Sequence, residues 1–310
     1  MKKISVLIPT YNEEENVIPL KDAIVEQFTK ELPNYDYEII FIDNDSKDST
    51  RDKIRSMCSE NEHVKAIFNA KNFGQFSSPF YGITQAQGDC VISMCADFQD
   101  PVEMIPKYVK EWESGYKIVL GQKTSSKENR LIYAARKFYY WFMKKNSDVE
   151  FIKQVTGSGL YDREFVDVMK NLDDSRPFLR GIVAELGYKI KLVPYEQPKR
   201  RAGKSSNNLF RYYDAAVQSV TSYTKIGVRL AVFTGALSTA ISGVTSLGFI
   251  IYKLLNWSTF ALSPYILPLA ILFLVSLNIG FVGIVGEYVL DINARTRHRP
   301  LVIESERINF

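Results

Sequence analysis

The feature that most constrains this 310-residue chain is a pair of long apolar runs near its C-terminal end. Residues 228–255 are almost wholly apolar, with Arg229 and Lys253 as their charges, and residues 265–285 carry no charge. Each run exceeds the ~18–20 apolar residues that a helix needs to cross a bilayer. We therefore predict a transmembrane hairpin of two helices; two buried core helices are the alternative.

Positive charges predict the orientation of this hairpin. They flank the outer ends of the two runs: Lys199, Arg200, Arg201, Lys204, Arg211, Lys225, Arg229, Arg295, Arg297 and Arg299. Because Lys and Arg accumulate on the cytoplasmic side, both termini are predicted to be cytoplasmic. The predicted parts are a cytoplasmic domain (1–207), a juxtamembrane amphipathic helix (208–227), the two transmembrane helices within 228–289 (about 228–255 and 265–289) and a cytoplasmic tail (290–310).

The first 207 residues have the pattern of an α/β domain. Apolar runs predict strands, and helical stretches lie between them; the strands are predicted at 4–9, 38–42, 64–68, 90–95 and 117–121. This alternation predicts a mostly parallel, Rossmann-like sheet with helices on both faces. Polar residues that follow the first, second and fourth strands would then meet at one edge, where such sheets bind nucleotides.

Two aromatic segments have an open interpretation. Residues 129–144 are rich in aromatic and basic side chains, which suits either a core helix or a helix in the membrane interface. Residues 208–224 adjoin the first apolar run, so an interfacial helix is favoured there.

Composition narrows the class of partner. The net charge of +4 fits an anionic substrate or a membrane surface and is too small to indicate nucleic acid. Cys58, Cys90 and Cys95 lack the spacing of a zinc site and are predicted to be reduced thiols.

The fourth predicted strand ends in oxygen-bearing side chains. Asp97, Gln99 and Asp100 follow it, and Pro101 then stops strand pairing. Carboxylate and amide oxygens suit a hard cation such as Mg²⁺ or Mn²⁺. The alternative is a turn with solvated carboxylates.

Six short motifs occur in a fixed order along the chain. They are Pro9-Thr10-Tyr11-Asn12-Glu13-Glu14, Asp43-Asn44-Asp45-Ser46, Asn72-Phe73-Gly74, Ala96-Asp97-Phe98-Gln99-Asp100-Pro101, Phe178-Leu179-Arg180-Gly181 and Arg200-Arg201-Ala202-Gly203-Lys204-Ser205. With the two apolar runs, this set resembles the family 2 glycosyltransferases with a GT-A fold. The closest resemblance is to their polyprenyl-phosphate glycosyltransferases, which include dolichol-phosphate mannose synthases and bactoprenol glucosyltransferases.

The resemblance implies roles for particular residues. A metal, Mg²⁺ or Mn²⁺, is expected at Asp97 and Gln99, and catalytic roles are expected for Asp97, Asp100 and Arg200. Binding of the donor and of phosphate groups is expected for a larger set: Pro9, Tyr11, Glu13, Asp43, Asp45, Asn72, Gly74, Arg180, Arg201, Gly203 and Ser205. The alternatives are turn and capping roles for the aspartates, and contact with anionic lipid for the cations.

Three departures from the family pattern bear on chemistry. Cys95 replaces the first aspartate of the usual Asp-Ala-Asp, and Asn44 and Asp45 replace residues of the usual Asp-Asp-Gly-Ser loop. Gly157 stands where many relatives carry an aspartate that is often assigned as catalytic base. A phosphate monoester has a second pKa of about 6 and is already mostly dianionic at neutral pH, so the loss of a base favours a phosphate acceptor over a hydroxyl.

These expectations combine into one predicted function. The chain would be an inverting glycosyltransferase that moves a sugar, from UDP-glucose or a UDP-N-acetylhexosamine, to polyprenyl (undecaprenyl) phosphate. It would act at the cytoplasmic face of the bacterial cytoplasmic membrane as a multi-pass protein, and the resemblance implies a homo-tetramer. Two alternatives are a transferase that extends a glycan hydroxyl and a catalytically degenerate, nucleotide-binding membrane scaffold.

Overall fold

The computed structural model describes residues 1–124, 142–143, 145–147, 149, 152, 154–172, 174–202, 209–255, 266–297 and 299–310. The chain forms two compact units. The first comprises Met1–Lys144, Val149–Asn208 and Arg295–Phe310, and the second comprises Lys145–Asp148 and Leu209–Ala294. Most of the aromatic segment at 129–144, and the loop between the apolar runs, lie outside the described residues.

Within the described residues, the first unit is built on an eight-stranded sheet with the order β7-β5-β6-β4-β1-β2-β3-β8. The strands are β1 (Lys3–Thr10), β2 (Asp36–Asp43), β3 (Val64–Asn69), β4 (Cys90–Ser93), β5 (Ile118–Lys123), β6 (Val155–Asp162), β7 (Ile190–Tyr195) and β8 (Glu304–Ile308). The β1, β2, β3 and β4 strands pair in parallel, as do β5 and β7, whereas β6 and β8 are antiparallel to their neighbours. The predicted mostly parallel α/β sheet is confirmed.

Helices cover both faces of this sheet. They are α1 (Val17–Glu31), α2 (Thr50–Glu60), α3 (Gly74–Gln85), α4 (Met104–Glu113), α5 (Arg163–Lys170) and α6 (Leu179–Glu185). Successive strand residues point to opposite faces. In β1, Val6 therefore packs in the core layer under α1, α2 and α4, whereas Leu7 packs in the layer under α3, α5 and α6.

The second unit is helical. Its helices are α7 (Leu209–Tyr223), α8 (Ile226–Leu255) and α9 (Ile266–Arg295), and the last two have 30 residues each. Among the described residues, Phe273–Ala294 is the stretch long and apolar enough to cross a membrane, and Ile226–Ser238 is a shorter apolar stretch. Large apolar side chains such as Phe233 and Phe273 are exposed on both long helices.

The C-terminal tail returns to the first unit. The β8 strand pairs antiparallel with β3, with Ala66 opposite Ile308. Arg55 donates to both carboxylate oxygens of Glu306, and Asn309 Nδ2 donates to the Val64 carbonyl at 2.8 Å. The sequence predicts only a cytoplasmic tail at residues 290–310. The β8 strand gives no local signal because Glu304, Glu306 and Arg307 leave no apolar alternation.

Candidate donor and metal site

Parallel pairing brings the carboxyl ends of β1, β2, β3 and β4 to one edge of the sheet. The β1–β2 register ends with Thr10 opposite Asp43, and the Met94 N–H, just after β4, donates to the Leu7 carbonyl at 3.1 Å. The loops that follow these four strands are therefore neighbours. This is the edge at which open α/β sheets bind ligands.

The loop after β1 is tied to the loop after β2. Asn12 makes two of the contacts: its N–H donates to Ser46 Oγ at 2.8 Å, and its Oδ1 accepts from the Lys47 N–H at 2.8 Å. The Glu13 N–H donates to Thr50 Oγ1 at 2.9 Å. The two predicted nucleotide loops therefore form one hydrogen-bonded surface.

Asp43 is engaged within that surface. Its fully buried carboxylate accepts from Arg51 Nε at 2.6 Å and from the Ser46 N–H at 3.1 Å, and also from the Ser46 hydroxyl. Asp45 has a φ of 69°, a conformation that aspartate tolerates better than most residues, and pairs with Lys47 at 2.7 Å. In this structure Asp43 shapes the turn, and Arg51 is a partner that the sequence analysis did not identify.

Asn44 links the loop after β2 to the loop after β3. Its Oδ1 accepts from Asn69 Nδ2 at 3.0 Å and from the Phe73 N–H at 2.9 Å. Its Nδ2 donates to Asn72 Oδ1 at 3.0 Å and to the Gly74 carbonyl at 3.1 Å. From the sequence, Asn44 is identified only as a departure from an acidic residue. An amide side chain both donates and accepts hydrogen bonds, whereas a carboxylate only accepts them. This difference is the sequence signal that could have indicated a linking role for Asn44.

Asp97 lies in a tight turn a few residues beyond the end of β4. The residue is 8% exposed, its Oδ1 accepts from the Gln99 N–H at 3.1 Å, and its Oδ2 lies 3.4 Å from Arg200 Nη1. Phe98, which lies between Asp97 and Gln99 in the chain, has a φ of 61°. This value is unusual for an aromatic residue and indicates backbone strain at the turn. Burial raises the pKa of Asp97, against the opposing effects of the Gln99 N–H and Arg200.

The segment around Arg200 connects Asp97 to the first loop. The Arg200 guanidinium pairs with Glu13, and its Nε donates to the Ala202 carbonyl at 2.8 Å. The Arg201 N–H donates to the Asp97 carbonyl at 3.2 Å, and the Arg201 guanidinium lies 5.0 Å above the Phe98 ring. Burial raises the pKa of Glu13, opposed by the bonds from Asn16 and Arg200. Four of the predicted site residues therefore meet here: Glu13, Asp97, Arg200 and Arg201.

Asp100 is placed differently from Asp97. It is 3% exposed, its Oδ2 accepts from the Cys95 N–H at 3.0 Å, and its Oδ1 accepts from the Tyr195 hydroxyl at 2.8 Å. With both oxygens engaged, Asp100 holds the loop that carries Asp97. Its charge raises the pKa of Cys95, so this exposed thiol stays neutral and is a poor ligand for a hard cation.

The remaining predicted residues are dispersed. Arg180 lines a small cleft with Gly157 and Tyr161, and the Tyr161 hydroxyl donates to the Gly157 carbonyl at 2.8 Å. In the part of the chain that the structure describes, no hydrogen bond or ion pair joins Arg180 to the Asp97 loop. Pro9 and Tyr11 are half-buried at the edge of the sheet. Gly203 and Ser205 lie outside the described residues.

The donor set fits a hard divalent cation held with few protein ligands. Asp97 and Glu13 already surround one cationic group, the Arg200 guanidinium. Among the residues with described positions, no three His, Cys, Asp or Glu side chains converge as a metal cluster. Mg²⁺ commonly binds through one or two carboxylates and completes its shell with water and substrate phosphates, so this sparse set is sufficient.

Comparison with known proteins assigns the family. The model of "Glycosyl transferase family 2" matches residues 5–165. The chain is 31% identical over 307 residues to "Bactoprenol glucosyl transferase" of Shigella phage SfV, covering 98% of this chain and 99% of that protein. It is 29% identical over 302 residues to "Prophage bactoprenol glucosyl transferase homolog" of Escherichia coli (strain K12), covering 97% and 98%.

A solved structure gives a more distant likeness. Glucosyl-3-phosphoglycerate synthase from Mycobacterium tuberculosis, in complex with Mn²⁺, UDP and phosphoglyceric acid, has a TM-score of 0.48 and 18% identity, over 71% of this chain and 76% of that one. The family assignment rests instead on the family model and on the relatives that match the whole chain. On that evidence the chain belongs to glycosyl transferase family 2 and is a glycosyltransferase with the α/β GT-A fold.

Proposed function

We propose that the protein transfers a sugar, with inversion, from a UDP-sugar to polyprenyl phosphate at the cytoplasmic face of a bacterial membrane. UDP-glucose and UDP-N-acetylhexosamines are the proposed donors. The observation that carries this proposal is the length of the match to the bactoprenol glucosyl transferase of Shigella phage SfV. The match covers 98% of the chain and so extends beyond residues 5–165 into the apolar helices.

The proposed donor site is the edge where the four loops meet. Tyr11 and Asp45 would contact the nucleoside, and Asp97 with Gln99 would hold Mg²⁺ or Mn²⁺. Such a cation stabilises the charge that develops on the leaving nucleoside diphosphate. Asp100 would act by holding the Asp97 loop, because its own oxygens are engaged by Cys95 and Tyr195.

The proposed acceptor side is cationic. Arg200 and Arg201 lie beside Asp97, and Arg180 lines the cleft next to Gly157. Arginine suits phosphate because its guanidinium can donate two parallel hydrogen bonds. Gly157 provides no base, and a dianionic phosphate needs orientation and charge neutralisation more than proton removal. Gly203 and Ser205 are proposed to belong to the same side on the strength of their motif alone.

The tail supports two membrane crossings. Because β8 pairs with β3, the residues on either side of the helical unit belong to one sheet. A single crossing by α9 would place β8 on the opposite side of the membrane from β3. If Phe273–Ala294 crosses, a second crossing is therefore needed, and we assign it to α8. The β3–β8 pairing thus supports the proposed hairpin, and the flanking positive charges support a cytoplasmic first unit with both termini on that side.

A donor panel tests the proposal. Purified protein in vesicles containing undecaprenyl phosphate and Mg²⁺ is given UDP-glucose, UDP-N-acetylglucosamine, UDP-galactose or GDP-mannose, each with a labelled sugar. We expect label in the lipid fraction with one UDP-sugar, and none with Asp97→Asn. In a parallel reaction that also contains a glycan acceptor, label found only on the glycan would contradict the proposed acceptor.

A further inference from the structure

One guanidinium lies between two carboxylates that come from different loops. Arg200 Nη2 pairs with Glu13 Oε1, and Arg200 Nη1 lies 3.4 Å from Asp97 Oδ2. Asp97 is also the residue proposed to hold the divalent cation. Like charges this close repel strongly in a partly buried site. A cation bound at Asp97 and the Arg200 guanidinium would therefore compete for this carboxylate.

Glu13 holds Arg200 more firmly than Asp97 does. Its second oxygen accepts from Asn16 Nδ2 at 2.7 Å, and Asn16 is 1% exposed. The same Nδ2 lies 3.4 Å from the Ala202 carbonyl, which also accepts from Arg200 Nε at 2.8 Å. Glu13 and Arg200 are thus joined directly and through the buried Asn16. Asp97 contacts the Arg200 side chain through one longer ion pair.

We propose that Glu13 is a positioning residue for Arg200: a divalent cation takes Asp97 Oδ2 from Arg200, Glu13 keeps the guanidinium in place, and the freed Nη1 donates to a substrate phosphate. The backbone bond from the Arg201 N–H to the Asp97 carbonyl keeps the two segments together during this exchange. Cation binding and phosphate binding are then coupled through one arginine. This inference rests on the proposed function, because it takes the cation and the phosphate-bearing substrates from it.

The first test measures competition with the metal alone. Mn²⁺ binding to the purified full chain is followed by electron paramagnetic resonance. Arg200→Gln should bind Mn²⁺ at least about fivefold more tightly than the wild type, the lower end of typical coupling between sites. Lys199→Gln is the matched control: it removes the same charge from an exposed neighbour and should change the affinity by less than about twofold. Equal effects of the two variants would overturn the proposed competition.

The second test measures the affinity for ligands that carry a phosphate group. Binding of farnesyl phosphate and, separately, of UDP is measured by calorimetry with and without Mn²⁺. In the wild type, Mn²⁺ should tighten at least one of them about fivefold or more, and the ligand whose gain is reduced in Arg200→Gln is the one whose phosphate Arg200 contacts. Glu13→Gln should abolish this gain, Glu13→Asp should retain part of it, and Glu13→Gln should have no further effect in Arg200→Gln.

Two outcomes separate the possible failures. If Mn²⁺ and both phosphate ligands bind but their affinities are independent, or if Glu13→Gln acts equally without Arg200, the positioning role is wrong. If farnesyl phosphate fails to bind under every condition while Mn²⁺ and UDP bind, the acceptor assigned under the proposed function is wrong. The Mn²⁺ competition then still decides the role of Arg200.

Discussion

Asp97 and Asp100 are two buried carboxylates on one loop with different surroundings. Asp97 has one oxygen facing Arg200, and burial raises its pKa, so its charge is costly in the folded protein. Asp100 has both oxygens satisfied by Cys95 and Tyr195. A carboxylate whose charged form is disfavoured by burial is typical of a functional site, whereas a carboxylate with both oxygens hydrogen-bonded is typical of a structural role.

This contrast predicts opposite outcomes for two matched variants. Asp97→Asn should lower turnover more than about 100-fold and leave the thermal midpoint unchanged or slightly higher, since a costly charge is removed. Asp100→Asn should lower the midpoint by several degrees, because a lost buried hydrogen bond costs about 1–3 kcal/mol. Thermal melts and Mn²⁺ titrations of both variants measure this. A destabilised Asp97→Asn with a stable Asp100→Asn would reverse the assignment.

Glu38 is a buried acid at the opposite end of β2, away from the site. Burial alone would raise its pKa, but Lys65, Ser5 and the Gln87 N–H bind it and lower the pKa from 4.5 to about 2. The charged form is therefore favoured by folding. The contribution of Glu38 to the free energy of unfolding is fully present above pH 4.5 and is lost as the pH falls towards about 2.

Glu38→Gln should therefore be destabilising at neutral pH. It leaves Lys65 without its ion pair, and breaking a buried pair costs about 3–5 kcal/mol. We expect a markedly lower thermal midpoint at pH 7, a smaller difference from the wild type near pH 3, and little effect from Glu60→Gln at an exposed position. A difference that does not shrink with acid would show that Glu38 acts through packing.

At the scale of elements, the β8 strand protects an edge of the catalytic sheet. It forms hydrogen bonds with the backbone groups on the outer side of β3. Tyr81 donates to Glu304 of this strand, and Arg55 donates to Glu306. An uncovered strand edge promotes aggregation.

Ending the chain after residue 303 should lower the thermal midpoint and increase aggregation. Glu306→Gln is the control, because it keeps the strand and weakens one partly exposed ion pair, worth about 1 kcal/mol or less. Light scattering during a thermal ramp measures both variants. If the truncated chain melts and scatters like the wild type, β8 does not contribute to the fold.

The elements that sequence could predict are those with strong local signals. Short apolar runs bounded by polar turns marked β1 to β5, and β/α alternation predicted the parallel core. The β6 strand, which separates β4 from β5, has two glycines and a register shift and gives a weak pattern. Long-range pairs such as Arg200 with Glu13, or Asn44 with Asn72, depend on tertiary placement, so the motifs predicted the residues but not their contacts.

For the whole molecule, the pairing of β3 with β8 requires an even number of membrane crossings between them. We predict that Ser258→Cys, in the loop between the apolar runs, reacts with a membrane-impermeant thiol reagent applied outside intact cells. Glu60→Cys, at an exposed position of the first unit, should react only after lysis. Labelling of Glu60→Cys in intact cells, or protection of Ser258→Cys until lysis, would contradict a cytoplasmic domain with a two-helix hairpin.

We propose that this glycosyltransferase makes a lipid-linked sugar. The most direct measurement is mass spectrometry of the lipid extract after purified protein, undecaprenyl phosphate, Mg²⁺ and the preferred UDP-sugar are incubated in vesicles. We expect undecaprenyl phosphate to gain the mass of one sugar residue, through a bond at the phosphate that Asp97→Asn fails to form. Unmodified lipid together with a sugar attached to an added glycan hydroxyl would contradict it.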